Sequence, residues 1–318
     1  MAKFTIITPV FNGADYIEET VLSVIAATKE IDVEYLVVDD GSTDNTRKLI
    51  EKYSAQLQYI YQENLGQAAA INKAIDLAKG VYTTIVNADD PLLTKKLFLE
   101  SEKIMDREPQ VVATYPDWNM IDSKGNIVET VFVKEFDPIE LIGKFNCLIG
   151  PGGIFRTAAG KSVNGWDPSY RFVPDYDFWL KLSEKGVFRH VPEIQATWRT
   201  HETSISISSR SEAMAKERIR VIDEFIFRNP DTPASLKKMA IAHSHYRAAV
   251  LSYFDSKIDG RNLFKVSMRN YPKILVEKDF RVSLFILLLP VSRFIVKMLV
   301  RLRYFQKLEA NLRRSLNS

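Results

Sequence analysis

Two pairs of adjacent aspartates are the residues in this sequence best suited to carry chemistry. Asp39-Asp40 and Asp89-Asp90 each follow a short apolar run directly. Neighbouring carboxylates repel one another unless a cation compensates their charge. The chain has four histidines and one cysteine, Cys147, so a cysteine-based zinc site is excluded and any metal site depends on carboxylates. Oxygen ligands of this kind favour hard divalent ions such as Mg²⁺ or Mn²⁺.

The segments around these aspartates alternate between strand-like and helix-like patterns over the first 115 residues. Short apolar runs predict strands, and apolar residues at helical spacing predict the helices between them. The predicted strands are 4–8, 35–38, 58–61, 82–86 and 111–115, and the predicted helices are 14–27, 44–53, 67–78 and 95–107. This alternation predicts an α/β fold with a parallel sheet and helices on both faces.

Polar loops follow three of the first four predicted strands. They are Pro9-Val10-Phe11-Asn12, residues 39–44 and Asn87-Ala88-Asp89-Asp90. Ligands bind beyond the carboxyl ends of the strands in such sheets, so the three loops predict one binding site. The alternative is that these residues only cap helices and form turns, as Asp44 is expected to do for the second helix.

The rest of the chain is predicted to be less regular at first and then helical. Residues 117–133 predict a hairpin, and Gly150-Pro151-Gly152-Gly153 predicts a flexible loop. A helix over 175–182 carries Asp175 and Asp177 in its first turn, where acids suit the helix dipole. Further helices are predicted over 211–228, 233–255, 259–270 and 280–305. We therefore expect two domains, 1–210 and 211–318.

Composition and charge narrow the class of protein. A chain of 318 residues that is 46% hydrophobic and 26% charged is neither disordered, collagen-like nor a disulfide-stapled miniprotein. Residues 261–318 contain 13 Lys and Arg but 3 Asp and Glu, a net charge of +10, and residues 1–260 sum to −7. An acidic body with a basic tail predicts that the tail meets an anionic partner such as a membrane surface.

The pattern of the tail indicates how it would meet a membrane. Arg293, Lys297 and Arg301 recur every four residues beside an apolar remainder, which is typical of a helix lying in a membrane interface. The alternatives are a helix packed on the body and a dimer contact. The N-terminus lacks a signal-peptide layout, and the single cysteine suits a reducing compartment. These features predict a cytoplasmic protein, peripheral on the inner face of the cell membrane.

The motifs together resemble the family 2 glycosyltransferases of bacterial polysaccharide synthesis, over roughly residues 3–208. The resemblance implies the GT-A fold, a Rossmann-like mixed sheet flanked by helices, with the helical C-terminal region outside it. The matching segments are Thr8–Asn12, Val37–Asp44, Asn64–Gln67 with Asn72-Lys73, Asn87–Asp90, Gly165–Asp167, Asp175–Leu180 and Trp198–His201.

The resemblance implies an inverting, metal-dependent transfer of a sugar from a nucleotide diphosphate donor. Among the nucleotides that such a donor can carry, UDP is the expected one. Pro9, Phe11 and Asn12 match the loop beneath the nucleoside. Asp39 matches the acid that accepts a hydrogen bond from the base, which argues against a CMP-sugar because neutral cytosine lacks a ring N–H. Asp89 matches a residue near the ribose or metal, and Asp90 matches a direct ligand of Mn²⁺ or Mg²⁺.

Other matching positions imply roles in catalysis and in the acceptor site. Asp175 matches the general base, with Asp177 as the rival, although Pro174 stands where many relatives have Glu. His201 matches a tentative metal ligand or phosphate contact. The remaining carried-over positions are donor contacts at Asn72, Lys73 and Arg199, and an acceptor site at Gly152, Gly153 and Trp179. Ile71 stands where many relatives have Arg, which puts the basic contact of that helix on Lys73.

The expected partners are a nucleotide-sugar, a lipid-linked or oligosaccharide acceptor and the membrane surface, with a homodimer left open. Nucleic acid is not expected, because the tail lacks interleaved stacking residues and the body is acidic. One alternative is a non-catalytic partner subunit of a polysaccharide-synthesis complex. Another is a sugar nucleotidyltransferase, although no basic glycine-rich loop follows the first strand.

Overall fold

A computed structural model describes residues 2–92, 94–201, 212–251 and 257–277. The described residues form an eight-stranded sheet in the order β3-β2-β1-β4-β7-β5-β6, with β8 paired to β5. The strands are β1 Phe4–Val10, β2 Val33–Asp39, β3 Gln58–Tyr61, β4 Tyr82–Ile85, β5 Val111–Ile121, β6 Ile127–Val131, β7 Ile154–Arg156 and β8 Val187–Arg199.

The predicted alternation of strands and helices over the first 115 residues is confirmed. The helices beside the sheet are α1 Ile17–Ala27, α2 Thr46–Glu51, α3 Gln67–Leu77, α4 Lys96–Arg107, α5 Thr157–Ser162 and α6 Pro174–Ser183. Several begin one to three residues later than predicted. Asp44 accepts hydrogen bonds from the backbone N–H of Thr46 at 3.0 Å and of Ala14 at 3.2 Å, so it ties the start of α2 to the loop after β1.

The first strand passes through Pro9, where the sequence predicted that it would stop. Pairing with β4 ends at Ile7–Ile85, whereas pairing with β2 continues to Val10–Asp39. The carbonyl of Ile7 accepts from Val86 and that of Val10 accepts from Asp40. Because successive residues face opposite neighbours, Pro9 faces the β4 side beyond the end of that ladder. Its missing N–H therefore leaves no partner unsatisfied.

The sheet is mixed, as expected for this fold. β1 to β4 are parallel, β7 is antiparallel to both β4 and β5, and β6 is antiparallel to β5. β8 runs parallel to β5 along its whole length. Every residue of β1 is buried, because both faces of a parallel sheet are covered. Side chains from β1, β2, α1 and α4 meet in the core.

The chain divides into two compact units. The first, which holds the sheet, comprises 1–136, 147–170 and 174–200, and the second comprises 137–146, 171–173 and 201–318. Two short segments from within the predicted domain 1–210 thus belong with the C-terminal residues. The second unit contains a π-helical turn at Ile139–Gly143, α7 Glu212–Arg228, α8 Ala234–Leu251, α9 Gly260–Asn270 and a 3₁₀ turn at Pro272–Val276.

The predicted tail helix over 280–305 lies outside the described residues. Within the four described ranges, no helix combines the length and the apolar character that crossing a bilayer requires.

Candidate functional site

The acidic loop, residues 87–92, follows β4. Asp90 is buried there, and both of its carboxylate oxygens accept hydrogen bonds. Oδ1 accepts from the backbone N–H of Arg199 at 2.7 Å, and Oδ2 accepts from Nδ2 of Asn87 at 2.9 Å. Burial, together with the charge of Asp89, raises the pKa of Asp90 above its ordinary value. The loop therefore holds a buried carboxylate whose negative charge a cation would stabilise.

The end of β8 supports this loop from a distant part of the sequence. Leu92 forms an antiparallel bridge with Ala196, and Oγ1 of Thr197 donates to the carbonyl of Pro91 at 2.5 Å. Nε of Arg199 donates to the carbonyl of Asp89 at 2.9 Å. The backbone of the acidic loop thus lies against residues 196–199 of β8.

Arg199 was predicted to contact the diphosphate, and the structure contradicts this. The side chain is 1% exposed, and Nε is already bonded to the acidic loop. Nη2 donates to Oε2 of Glu19 at 2.7 Å, and Nη1 donates to the carbonyl of Asp122 at 3.2 Å. The guanidinium also lies 4.8 Å from the ring centroid of Tyr16. All three nitrogens of the guanidinium therefore already bind protein groups, of which Glu19 is itself half-exposed.

Asp39 lies at the end of β2 and is fully buried. Oδ1 accepts from the N–H of Ser42 at 2.8 Å, and Oδ2 accepts from the hydroxyl of Tyr59 at 2.8 Å. Tyr59 reaches it because the β2–β3 register sets Tyr59 opposite Val37, on the same face of the sheet as Asp39. A base that hydrogen-bonds to Asp39 would share one of these oxygens or displace one of these donors.

Asp40 holds the loop after β3. Its Oδ1 accepts from Nε2 of Gln62 at 2.7 Å and from the N–H of Leu65 at 2.9 Å. Its Oδ2 accepts from the N–H of Gly66 at 2.8 Å. The turn-forming alternative from the sequence is correct for this aspartate. The pair Asp39-Asp40 is therefore accommodated by protein donors.

The loop after β1 contains three predicted contact residues, and the structure places each of them in a different environment. Pro9 is buried within β1, and its contact with a nucleoside stays a prediction. Phe11 is 51% exposed and available to a ligand. Asn12 has φ +49°, and its Oδ1 accepts from the N–H of Thr43 at 2.8 Å. Asn12 therefore joins the loops after β1 and β2.

Asn72 was predicted to bind the donor but holds a loop instead. Its Nδ2 donates to the carbonyl of Trp166 and its Oδ1 accepts from the N–H of Trp166, both at 2.7 Å. Both ends of the amide thus bind the backbone of Trp166, and a donor contact of Asn72 stays a prediction. Nζ of Lys73 lies 3.3 Å from the carbonyl of Tyr61, at the carboxyl end of β3. Of Asn72 and Lys73, only Lys73 contacts the carboxyl end of a strand.

The two candidate bases differ in access to solvent. Asp175 is exposed in the first turn of α6, after Pro174, at a position that suits proline in a helix. Desolvation by neighbouring protein groups nevertheless raises the pKa of its carboxyl group. Asp177 is fully buried and ion-paired with Nζ of Lys181. Of the two, Asp175 has the exposed side chain, which favours it as the base.

The predicted acceptor positions Gly152, Gly153 and Trp179 belong to the core. A Cβ on Gly152, which has φ +78°, would lie 2.9 Å from Cβ of Ala196, and one on Gly153 would lie 3.1 Å from Cζ2 of Trp179. Trp179 packs edge-on against three phenylalanines at 155, 178 and 188. Packing therefore explains all three residues, and their acceptor role stays a prediction.

The acidic loop fits a divalent ion on the chemistry of its donors. Mg²⁺ needs one or two protein carboxylates and otherwise takes water and phosphate oxygens. Asp89 and Asp90 are two such carboxylates. His201, the other predicted ligand, is half-buried. In the described ranges, no group of three or more His, Cys, Asp or Glu side chains could hold a metal alone.

Sequence reasoning missed the residues that support the aspartates. Glu19 lies on α1 at the far end of the Arg199 guanidinium, and Tyr59 lies on β3. Tyr59 carries no sequence signal because sheet register sets its place, and Glu19 carries none because its partner Arg199 lies 180 residues away. Asn87 was part of a matching motif, and its bond to Asp90 could have been expected from the three-residue spacing.

Comparison with known proteins gives the class. Residues 5–135 match the family model described as glycosyl transferase family 2. TuaG of Bacillus subtilis, named as a teichuronic acid biosynthesis glycosyltransferase, is 38% identical over 212 residues, or 64% of this chain and 81% of that protein. The chain belongs to glycosyl transferase family 2.

Two other comparisons bear on the extent of the chain and on its fold. An uncharacterized glycosyltransferase of Rickettsia typhi is 29% identical over 204 residues, and the match spans 62% of this chain and 64% of that protein. Staphylococcus aureus TarS 1–349 in complex with UDP-GlcNAc has a TM-score of 0.57 at 18% identity, covering 88% of this chain and 92% of that one. The likeness to TarS confirms the GT-A fold.

Proposed function

We propose that the chain is an inverting, metal-dependent glycosyltransferase that moves a sugar from a UDP-sugar to a lipid-linked or glycan acceptor in cell-surface polysaccharide synthesis. The observation that carries the proposal is the pair of carboxylates in different environments. Asp90 is buried and held on both oxygens, and Asp175 is exposed with a raised pKa. Family membership and the name of TuaG support the same class of reaction.

The reaction assigned to these residues is a direct displacement. The acceptor hydroxyl attacks the anomeric carbon as the bond from that carbon to the diphosphate breaks, which inverts the configuration. Asp175 takes the hydroxyl proton as the new bond forms, and its raised pKa makes it a stronger base than an ordinary aspartate. A divalent ion held by Asp90 with Asp89 supplies charge that stabilises the leaving diphosphate.

The donor site is proposed to use the loops at the carboxyl ends of β1, β2 and β3. Phe11 offers an exposed ring, and Lys73 offers a cation near the end of β3. Asp39 accepts the ring N–H of uracil once Tyr59 or Ser42 gives up its hydrogen bond. The presence of UDP-GlcNAc in the TarS complex supports UDP as the first nucleotide to test.

The C-terminal region is proposed to attach the enzyme to the cytoplasmic face of the membrane. The net charge of +10 on residues 261–318 supports attraction to anionic headgroups, worth about 1 kcal/mol for each Lys or Arg near the surface. His201 is proposed as a further metal ligand or phosphate contact.

A thermal-shift panel tests the donor and the metal together. UDP, GDP, dTDP and CMP are each added with and without Mn²⁺ to the wild type and to Asp90→Ala. A nucleotide that binds the folded state raises the melting temperature in proportion to its occupancy. We expect a shift with UDP that needs Mn²⁺ and is lost in the variant. If no nucleotide binds and no donor is turned over, the non-catalytic subunit is the better interpretation.

A further inference from the structure

We infer that Arg199 is a positioning residue that sets the acidic loop in its metal-binding arrangement. This inference rests on the proposed function. In place of the predicted diphosphate contact, this role has the buried Arg199 act through the acidic loop and not by touching the substrate.

The first support is that Arg199 binds two successive residues of the loop with two different groups. Its backbone N–H donates to Oδ1 of Asp90, and its Nε donates to the carbonyl of Asp89, at 2.7 and 2.9 Å. With Asn87 on Oδ2 of Asp90, the carboxylate plane is fixed from both sides. Partners of this kind orient the groups that bind a metal directly.

The second support is the direction of the remaining donors. Nη2 binds Glu19 on α1, and Nη1 binds the carbonyl of Asp122 in the turn between β5 and β6. One planar side chain thus connects the acidic loop to two other parts of the first unit. Lysine could not replace it, because its three donors share one nitrogen and cannot reach acceptors along the edges of a guanidinium.

The third support is the cost of keeping this charge inside. Buried ion pairs generally add little stability compared with apolar groups of the same volume, and Glu19 is itself half-exposed. A fully buried arginine at this position is therefore poorly explained by stability alone, whereas fixing a metal-binding loop explains why its donors point where they do.

Arg156 provides a matched control. Its Nε donates to the carbonyl of Val111 at 2.7 Å, and its Nη2 donates to the carbonyls of Met105 and Glu108 at 2.6 and 3.2 Å. It also lies 5.7 Å from the ring centroid of Tyr82. Arg156 therefore joins backbone carbonyls beside a tyrosine, as Arg199 does, but none of these partners lies in the acidic loop.

The experiment compares Arg199→Lys with Arg156→Lys by calorimetric titration of UDP, with MnCl₂ and with EDTA, below both melting temperatures. We expect both variants to melt at lower temperature than the wild type. With Mn²⁺, Arg199→Lys should weaken UDP binding by about 10- to 100-fold. With EDTA its UDP affinity should match the wild type, and Arg156→Lys should match it in both buffers.

Three results for the variants would overturn the inference, and one result for the wild type would overturn it together with the proposed function. One is wild-type UDP affinity of Arg199→Lys in Mn²⁺, and another is an equal loss in Arg156→Lys, which would indicate general destabilisation. If Arg199→Lys does not fold, Thr197→Val takes its place, because it removes the hydroxyl bond to Pro91 in the same loop. Unchanged Mn²⁺-dependent UDP binding in Thr197→Val is the third result. A wild type that binds no UDP with Mn²⁺ overturns the proposed function first, and the inference with it.

Discussion

Asp175 and Asp177 lie two residues apart on the first turn of α6 and occupy opposite environments. Asp175 is open to solvent, whereas Asp177 is enclosed and paired with Lys181 one turn further along the helix. The sequence offered both as bases, since either could follow from the motif. Burial separates them, because a base must come within hydrogen-bond reach of the hydroxyl that it deprotonates.

Asp175→Asn should lose turnover and keep donor binding. Removing a general base lowers the rate by about 10²- to 10⁴-fold, and the substitution leaves the acidic loop untouched. Sugar release from the donor in the presence of acceptor measures the first effect, and UDP titration with Mn²⁺ measures the second. Since the pKa of Asp175 is raised, activity of the wild type should fall with decreasing pH already above the ordinary aspartate value of about 4.

Asp177→Asn is the matched control for that experiment. The change leaves the cation of Lys181 without its buried partner, which costs up to about 3 kcal/mol of unfolding free energy. Urea denaturation should show this loss, while activity per folded molecule stays near the wild type. A variant that folds fully but no longer turns over would transfer the role of base to Asp177.

Asp39→Asn should reduce discrimination between UDP and CDP. A carboxylate accepts the ring N–H of uracil and repels the acceptor nitrogen of cytosine, whereas an amide can serve either base. We expect the ratio of the two dissociation constants to shrink by about 10-fold, as for loss of a hydrogen bond to a charged group. Titration of both nucleotides with Mn²⁺ gives the ratio.

Asp40→Asn controls for disturbance of the same segment. The three donors that Asp40 accepts from, at Gln62, Leu65 and Gly66, follow β3, so its replacement should lower the unfolding free energy by about 1–3 kcal/mol. The UDP to CDP ratio should stay at the wild-type value. Equal loss of discrimination in both variants would contradict a base contact at Asp39.

Gly152→Ala should destabilise the protein more than Gly153→Ala. Each new Cβ meets a packed side chain within 3 Å, but only Gly152 has a positive φ. Overpacking together with left-handed backbone strain predicts a loss of about 2–4 kcal/mol for Gly152→Ala. Denaturant midpoints measure both variants. If instead both fold like the wild type and fail only with acceptor, the glycines line the acceptor site after all.

The second unit should lose stability as pH falls from about 6.5 to about 4. Burial, with the charges of Arg247 and Lys144, lowers the pKa of His243 to about 4, while Glu140 acts in the opposite direction. Glu277 also faces the ring, with Oε2 3.4 Å from Nε2. The unfolded chain then binds a proton that the folded chain does not, so acid favours unfolding.

His243→Gln isolates this effect. Across that interval the wild type should lose at most about 3 kcal/mol more unfolding free energy than the variant, as measured by urea denaturation at several pH values. Parallel pH profiles for the two proteins would show that His243 does not titrate in this way.

The sequence was sufficient for the order of strands and helices and for the loops that reach one sheet edge. It was insufficient wherever a side chain could bind either substrate or protein. Asn72 and Arg199 match donor contacts by motif, yet Asn72 is used on the backbone of Trp166 and Arg199 on the acidic loop. Partners about a hundred residues away leave no local pattern, because sheet packing alone brings them together.

The support of the acidic loop by β8 bears on when the site can form during translation. Asp90 emerges from the ribosome 109 residues before the backbone N–H that fixes it. Parallel strands β1 to β4 can pair as the N-terminal half is made. At that stage the aspartates lie in a loop that lacks its hydrogen bonds to β8. If the acidic loop binds metal and donor as proposed, both bind only after β8 has joined β5, so a half-made chain would neither sequester nucleotide-sugar nor consume it.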